Sequence, residues 1–215
     1  MVASIASRDI FQRLQQSLAE LGFEKSTPQT CCTPITADVR GWIGLNIATD
    51  RQSGSVDVGP MFGVHSVSLH SLIARLRGEK YVRCNPPTIV QNAGFLMPDR
   101  NVYIAVRFEH SEQLTERVNI LRDLVLDVGL PFMRRHDSLA ALYSSLSAMK
   151  SPSGYEERMC ALAYLLGDNT AARQRVTEHV ETLRSEHPVL QQDFEKFAGP
   201  FLELLAASPT QDSSG

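Results

Sequence analysis

The fold is decided by the stretch Gly41-Trp-Ile-Gly-Leu-Asn-Ile-Ala-Thr49, which alternates like a β-strand. Because successive side chains of a strand point to opposite faces, every second residue of this stretch shares a face. One face is made of Ile43, Leu45 and Ile47, and the other of Trp42, Gly44 and Asn46. Turn-forming residues follow at 50–54, and apolar alternation resumes at 55–58. The two runs predict a β-hairpin with a loop of a few residues.

Further strands are predicted on both sides of this hairpin. One lies between Gln29 and Val39, where Pro34 would confine it to an edge or a bulge. Gly59-Pro60 is expected to break the second hairpin strand. Downstream, residues 88–96 read as a short interrupted strand. The clearest alternation of the chain runs from Val102 to Phe108.

Helical periodicity dominates the rest of the chain. Ser66 is the expected N-cap of one helix, and Gly129 the expected end of another that begins at Ser111. Asp137 or Ser138 is expected to begin the helix after it. The predicted helices span residues 8–21, 66–77, 111–129, 138–149, 155–166, 170–185 and 188–206.

Strands and helices segregate along the chain, which is typical of an α+β fold rather than of βαβ winding. We expect an antiparallel sheet packed with helices, followed by an all-helical C-terminal segment. The predicted domains are an α+β domain at 1–150 and a helical extension at 151–207 packed on it. The boundary falls at Ser151-Pro-Ser-Gly154, and the polar residues 208–215 are expected to be disordered.

Composition limits the function classes. The 215 residues carry a formal net charge of −3 at a pI near 6.1, which argues against a nucleic-acid partner. The four cysteines form no C-x-x-C pair, so we expect free, buried or half-buried thiols in a reducing compartment. The N-terminal residues lack the pattern of a secretory signal, and no apolar run is long enough to span a membrane. The expected location is the cytoplasm, without a membrane partner.

The sequence lacks the motifs of zinc proteases, phosphate-binding loops, dinucleotide-binding turns and serine hydrolases. No catalytic residue, metal site or cofactor is therefore predicted. His65 and His70 are interpreted as a loop histidine and a helix-surface histidine rather than as a metal pair. For His136-Asp137, a helix-capping role of the aspartate is favoured over an acid–base couple.

Two enzymatic alternatives stay open. Scattered acids and arginines could form a site near Asp57, Arg83 and Arg107 that acts on a nucleotide or a phosphorylated substrate. Cys31 or Cys84 could be a nucleophile if a histidine lies beside it, although a core thiol is the default interpretation.

Trp42 is the single tryptophan, and two interpretations of it are open. It could pack in or at the edge of the core, or it could be an exposed anchor at a protein interface, where tryptophan is enriched. Under the second interpretation, the predicted partner-binding residues are Trp42, Asn46, Asp57 and Arg83.

The chain also resembles an uncharacterised bacterial protein family with a Gly-Trp-x-Gly-Leu-Asn hairpin motif, over residues 8 to 148. The likeness rests on residues 41–46, 58–65, 76–80, 87–88, 94–98 and 129–132. In size, acidity and lack of catalytic motifs it is similar, more loosely, to bacterial toxin-immunity proteins. That likeness implies an immunity protein or antitoxin that binds and blocks a cognate protein, possibly a basic toxin domain.

Overall fold

The computed structural model of the chain describes residues 7–27, 29–149 and 155–207. These residues form a six-stranded antiparallel sheet with several helices and end in a purely helical segment, so the predicted α+β class is confirmed. The hairpin, β3 and β4, lies at the centre of the sheet order β1-β2-β3-β4-β5, and β6 also pairs with β4. The strands are β1 Glu24–Thr27, β2 Thr30–Pro34, β3 Val39–Thr49, β4 Val56–Ser66, β5 Ile89–Asn92 and β6 Val106–Phe108.

The helices lie close to the predicted ones. Ser66 caps α2 as expected, since its hydroxyl accepts from the Leu69 amide, and Gly78 ends that helix in the left-handed conformation. Ser138, and not Asp137, caps α6. The helices are α1 Ser7–Ala19, α2 Val67–Arg77, α3 Ala93–Leu96, α4 Leu114–Leu124, α5 Leu130–Arg135, α6 Leu139–Ala148, α7 Glu156–Leu165, α8 Asn169–Glu186 and α9 Pro188–Ala207.

The chain divides into two compact units. The sheet unit comprises residues up to His65 together with Arg83–Asp137, and the helical unit comprises Ser66–Val82 together with the residues from Ser138 on. This grouping differs from the predicted boundary at residue 150, because α2 and α6 belong with the C-terminal helices. The predicted boundary segment 151–154 and the predicted tail 208–215 lie outside the described residues.

In the sheet unit, helices pack on the face that carries the apolar alternation of the hairpin. A Cβ on Gly41 would lie 2.6 Å from the Met133 sulfur, and one on Gly129 would lie 3.1 Å from the Phe62 ring. Gly129 was predicted to end a helix. Instead α4 continues through a π-helical turn, Val125–Gly129, into α5. Because Gly129 has no side chain, the helix can approach Phe62 closely. This glycine therefore serves packing and does not end the helix.

The prediction that Gly59-Pro60 breaks the hairpin strand was wrong. β4 runs through both residues, because two different strands pair with its two halves. β6 pairs with β4 as far as Val58, and β5 begins its pairing at Met61. Pro60 falls between the two, where its missing N–H interrupts neither ladder.

The alternation from Val102 to Phe108 forms a much shorter strand than predicted. Only Val106–Phe108 pairs with β4. The residues before it are held by a side chain instead: the Asn92 Oδ1 accepts from the Ile104 amide at 2.9 Å, and its Nδ2 donates to the Ile104 carbonyl at 3.0 Å. An asparagine amide therefore takes the place of a strand partner.

In the helical unit, an ion-pair network explains why α2 joins the C-terminal helices. Arg77 ends α2, and its guanidinium makes a bidentate pair with Glu157 on α7 and a 3.0 Å contact with Asp193 on α9. The Arg77 and Glu157 side chains are only 16% and 15% exposed. Partly buried pairs of this kind hold helices in a defined register and are costly to break from one side.

We predict that Arg77→Met lowers the free energy of unfolding by about 2–4 kcal/mol, because it leaves the half-buried Glu157 carboxylate unpaired. Lys196→Met is the matched control, since Lys196 pairs with the same Asp193 at 3.1 Å but in the open. It should cost under about 1 kcal/mol. Urea denaturation of the two variants measures the difference. Equal losses would mean that the network does not hold α2 in place.

Candidate functional site

The second face of the sheet carries the residues that the sequence singled out. Glu24, Cys32 and Trp42 are consecutive cross-strand neighbours on β1, β2 and β3, so their side chains share this face. The Trp42 ring lies over Gly63, which places the alternate residues of β4, Asp57 among them, on the same side. We call this surface the open face, because the helix contacts described above lie on the opposite side of the sheet.

Trp42 is buried, with 8% of its surface exposed, so it is not the exposed anchor that one interpretation predicted. Its ring lies flat on the sheet, where a Cβ on Gly44 would overlap it and one on Gly63 would lie 3.3 Å away. It packs in a cluster with Cys32 and Cys84. The indole Nε1 is buried without a hydrogen-bond partner among the described residues. Trp42 is therefore a core residue, as the first of the two interpretations predicted.

The other three predicted partner-binding residues reach solvent. Asn46 and Arg83 are exposed, and Asp57 is half-buried. Asp57 and Arg107 stand opposite each other on β4 and β6 and form a bidentate pair with two 2.9 Å hydrogen bonds. Arg83 pairs instead with Glu24 at 2.8 Å, at the other end of the sheet order. The structure thus brings Asp57 and Arg107 together and places Arg83 elsewhere on the open face.

The Asp57 carboxylate is tied to its arginine. The hydrogen bond from Arg107 holds the pKa of Asp57 below its ordinary value, against a smaller opposing effect of burial. The same pair raises the pKa of Arg107. Both groups stay charged at neutral pH and satisfy each other, which is the behaviour of a surface ion pair and not of a general acid or base.

An apolar patch at the edge of this surface escaped the sequence analysis. Phe95, Val102 and Tyr103 are each about half exposed, at 48%, 54% and 51%. A Cβ on Gly59 would overlap the Tyr103 hydroxyl, and one on Gly94 would overlap the Val102 carbonyl, so the segment is pressed against both glycines. The alternation of residues 102–108 gave no sign of this, because it predicted a strand.

All four cysteines are free and buried, as expected. The sequence could not show that Cys32 and Cys84, distant in the chain, lie in one cluster with Trp42, Met61 and Val90. Cys84 has a φ of 60°, the left-handed region that costs a residue with a side chain about 1–3 kcal/mol. It lies between exposed residues, Arg83 and Asn85.

The thiols of this pair differ in their acidity. A hydrogen bond from Cys32, opposed by burial and supported by Arg40 and Arg83, lowers the pKa of Cys84 to about 7. The pKa of Cys32 is raised by the same hydrogen bond and by burial. For Cys31, burial raises the pKa to about 11. Cys84 is therefore the thiol that is most readily deprotonated in its surroundings.

Two of the histidines, His65 and His70, are more buried than predicted. His65, expected in a loop, is fully buried on β4 with its Nδ1 2.8 Å from the Pro86 carbonyl oxygen. His70, expected on a helix surface, is also buried. His136 Nδ1 lies 2.8 Å from the Phe132 carbonyl oxygen. These buried rings pack within the fold, and two of them contact backbone carbonyl oxygens, so we assign them a structural role.

The described residues contain neither a metal-binding cluster nor a membrane-spanning helix, and a large cavity that they line lies away from the open face. No group of three or more histidine, cysteine or acidic side chains there could hold a metal ion. Among the same residues, no helix has the length and hydropathy that crossing a membrane requires. A cavity of about 720 Å³ lies beside α1 rather than on the open face. It is lined by Ser7, Arg8, Phe11, Gln12, Gln15, Lys25, Gln29 and Ile47.

Comparison with known proteins adds no assignment: no family model matches the chain, and no curated protein or solved structure is significantly similar to it. The resemblance of its glycine- and proline-rich motifs to a bacterial family therefore stays a prediction.

We predict that Trp42→Ala lowers the free energy of unfolding by about 3–5 kcal/mol, the usual cost of truncating a buried tryptophan. Asn46→Ala, four residues away in β3 but exposed, should change it by less than about 0.5 kcal/mol. Thermal and urea denaturation measure both. A Trp42→Ala variant of unchanged stability would contradict the packing described above.

Asp57→Asn is predicted to cost under about 1 kcal/mol at pH 7, because the pair with Arg107 is exposed. The folded-state pKa of Asp57 is below its ordinary 3.8, so its contribution is present above that value and is lost as the pH falls through the lower folded-state pKa. Denaturation from pH 7 downwards should therefore show the variant and wild-type curves converging. Asp99→Asn, in an exposed turn, should parallel wild type throughout.

Proposed function

We propose that this chain is a protein-binding protein, and more specifically a cytoplasmic immunity protein or antitoxin that binds and blocks a cognate toxin domain. The observation that carries the proposal is the apolar patch of Phe95, Val102 and Tyr103, three large side chains that are each about half exposed. Single exposed apolar residues are ordinary, whereas several that lie close together favour a protein contact site.

The patch is held in place from beneath. Gly94 and Gly59 let the 102–103 segment lie directly on the backbone, and Asn92 also donates a hydrogen bond to the Pro60 carbonyl at 3.2 Å. A contact surface that is already ordered loses less conformational entropy when a partner binds. Tyrosine suits such a site, because its ring offers a large apolar contact area.

Two charged pairs also lie on the open face, one near the patch and one at the other end of the sheet order. Asp57–Arg107 and Glu24–Arg83 are both largely exposed ion pairs. Pairs of this kind at an interface rim set the orientation of a partner more than they add affinity. The net charge of −3 favours the approach of a basic partner, and a stable complex would bury roughly 1,200–2,000 Å² in total.

The enzymatic alternative near Asp57, Arg83 and Arg107 draws less support. Arg83 is paired with Glu24, and Asp57 has both carboxylate oxygens engaged by Arg107. A site for a phosphorylated substrate needs arginines that converge on open space. Here each arginine has its own carboxylate.

The experiment is affinity capture of the tagged chain from its own source cells, followed by purification of the captured protein and titration calorimetry. We expect one stoichiometric, basic protein whose activity is abolished by an equimolar amount of this chain. Phe95→Ser should weaken binding by about 10-fold or more if Phe95 is an anchor of the interface. Asp57→Asn should weaken it less and alter its salt dependence.

The matched control is Val189→Ser, which removes an apolar side chain that is 83% exposed on α9. It should bind like wild type. An equal loss of affinity in Val189→Ser would remove the patch as the contact site. A captured partner whose activity is unaffected would overturn the immunity role, and capture of no protein would overturn the binding role altogether.

A further inference from the structure

The cluster under the open face contains two thiols that the proposed binding function does not use. Cys32 comes from β2 and Cys84 from the segment that follows the helical unit's α2. The fold brings them into one buried cluster with Trp42, and the two thiols share a hydrogen bond. Among the described cysteines, Cys31 points to the opposite face of β2, and Cys160 lies in the helical unit on α7.

Cys84 is fully buried, yet charged groups lie near its thiol, as they do at reactive cysteines. Two guanidinium groups, of Arg40 on β3 and of the adjacent Arg83, help to lower the pKa of its thiol. Cations and hydrogen-bond donors favour the thiolate, which is the nucleophilic form of cysteine. Cys32 supplies the second thiol, from the same buried cluster.

The chain on either side of Cys84 lies at the surface. Its side chain is buried, yet the residues on both sides of it in the chain, from Val82 to Pro86, are exposed. The chain neighbours of Cys160, Met159 and Ala161, are by contrast buried, so Cys84 is better placed than Cys160 for contact with a small oxidant.

We propose that Cys84 and Cys32 form a redox-active dithiol, which a peroxide oxidises to an intramolecular disulfide. The Cys84 thiolate attacks one peroxide oxygen, the O–O bond breaks, and a sulfenic acid forms with release of hydroxide, which takes up a proton as water. The Cys32 sulfur then attacks the Cys84 sulfur. The S–S bond forms, the S–O bond breaks, and the oxygen leaves as water with the Cys32 proton. Two thiols and one hydrogen peroxide give one disulfide and two waters.

The test uses the full chain, reduced and then desalted, with increasing hydrogen peroxide under native conditions. Remaining thiols are capped with N-ethylmaleimide before unreduced peptide mapping by mass spectrometry. Because Cys31 and Cys32 are adjacent, the mapping is done in wild type and in Cys31→Ser. We expect a linked Cys32–Cys84 peptide in both proteins. Its mass should be about 2 Da below the sum of the two reduced peptides, because forming one S–S bond removes two hydrogens.

Single-cysteine variants separate the steps. Cys32→Ser should stop at the sulfenic acid, which dimedone traps at Cys84, and Cys84→Ser should form no disulfide. Cys160→Ser is the matched control and should oxidise like wild type. Since the only tryptophan of the chain packs against both thiols, its fluorescence should fall on oxidation in wild type and stay constant in Cys84→Ser.

Alkylation by iodoacetamide gives an independent readout. At pH 7, Cys84 should react roughly 10-fold or more faster than Cys31 in the folded protein, because its surroundings favour the thiolate. The proposal is overturned if the four thiols oxidise at similar rates, if the bond that forms joins other cysteines or two chains, or if no disulfide forms before the protein unfolds.

Discussion

The structure depends on how the second face of the sheet is covered. The first face is covered by helices, which meet it at Gly41 and at Phe62. On the open face, the ring of Trp42 covers much of the apolar surface. It lies flat over Gly44 and Gly63, and a Cβ at either position would contact the ring. A sheet in water needs its apolar surface covered on both sides, and one aromatic ring laid on two glycines covers more of it than several small side chains would.

That arrangement decides where the other features lie. With the ring flat, the segment from Arg83 to Thr88 can pass close to the sheet, as shown by the Thr88 amide, which donates to the Val64 carbonyl at 2.6 Å. The same approach brings Cys84 beside Cys32 and places Arg83 within reach of Glu24. The Cys32–Cys84 pair and the Glu24–Arg83 ion pair thus follow from the flat orientation of the Trp42 ring.

Local patterns were enough to predict what depends on local geometry. The faces of β3, the Ser66 cap and the Gly78 stop follow from side-chain alternation and from hydrogen bonds within one turn, so the sequence showed them directly. Features that depend on a distant partner could not be seen. Pro60 looks like a strand breaker until β5 and β6 are known to meet there, and Val102 looks like a strand residue until Asn92 is known to bind Ile104. The Cys32–Cys84 pair and the burial of Trp42 belong to the same class.

The candidate site also combines features that local sequence predicts with features that depend on distant partners. Asp57 and Asn46 could be chosen from the sequence because strand parity places polar residues on one face, but the pairing of Asp57 with Arg107 and of Arg83 with Glu24 is tertiary. The exposed ion pairs and the apolar patch both lie where a partner could cover them, and Cys84 lies just beneath that surface. A protein bound over Arg83 would also block the path of an oxidant to Cys84, and a disulfide there would fix the backbone that carries Arg83. If a partner that covers the patch also contacts Arg83, binding and oxidation both involve the segment that carries Arg83 and Cys84, and each then changes the other, since coupling between two equilibria is reciprocal.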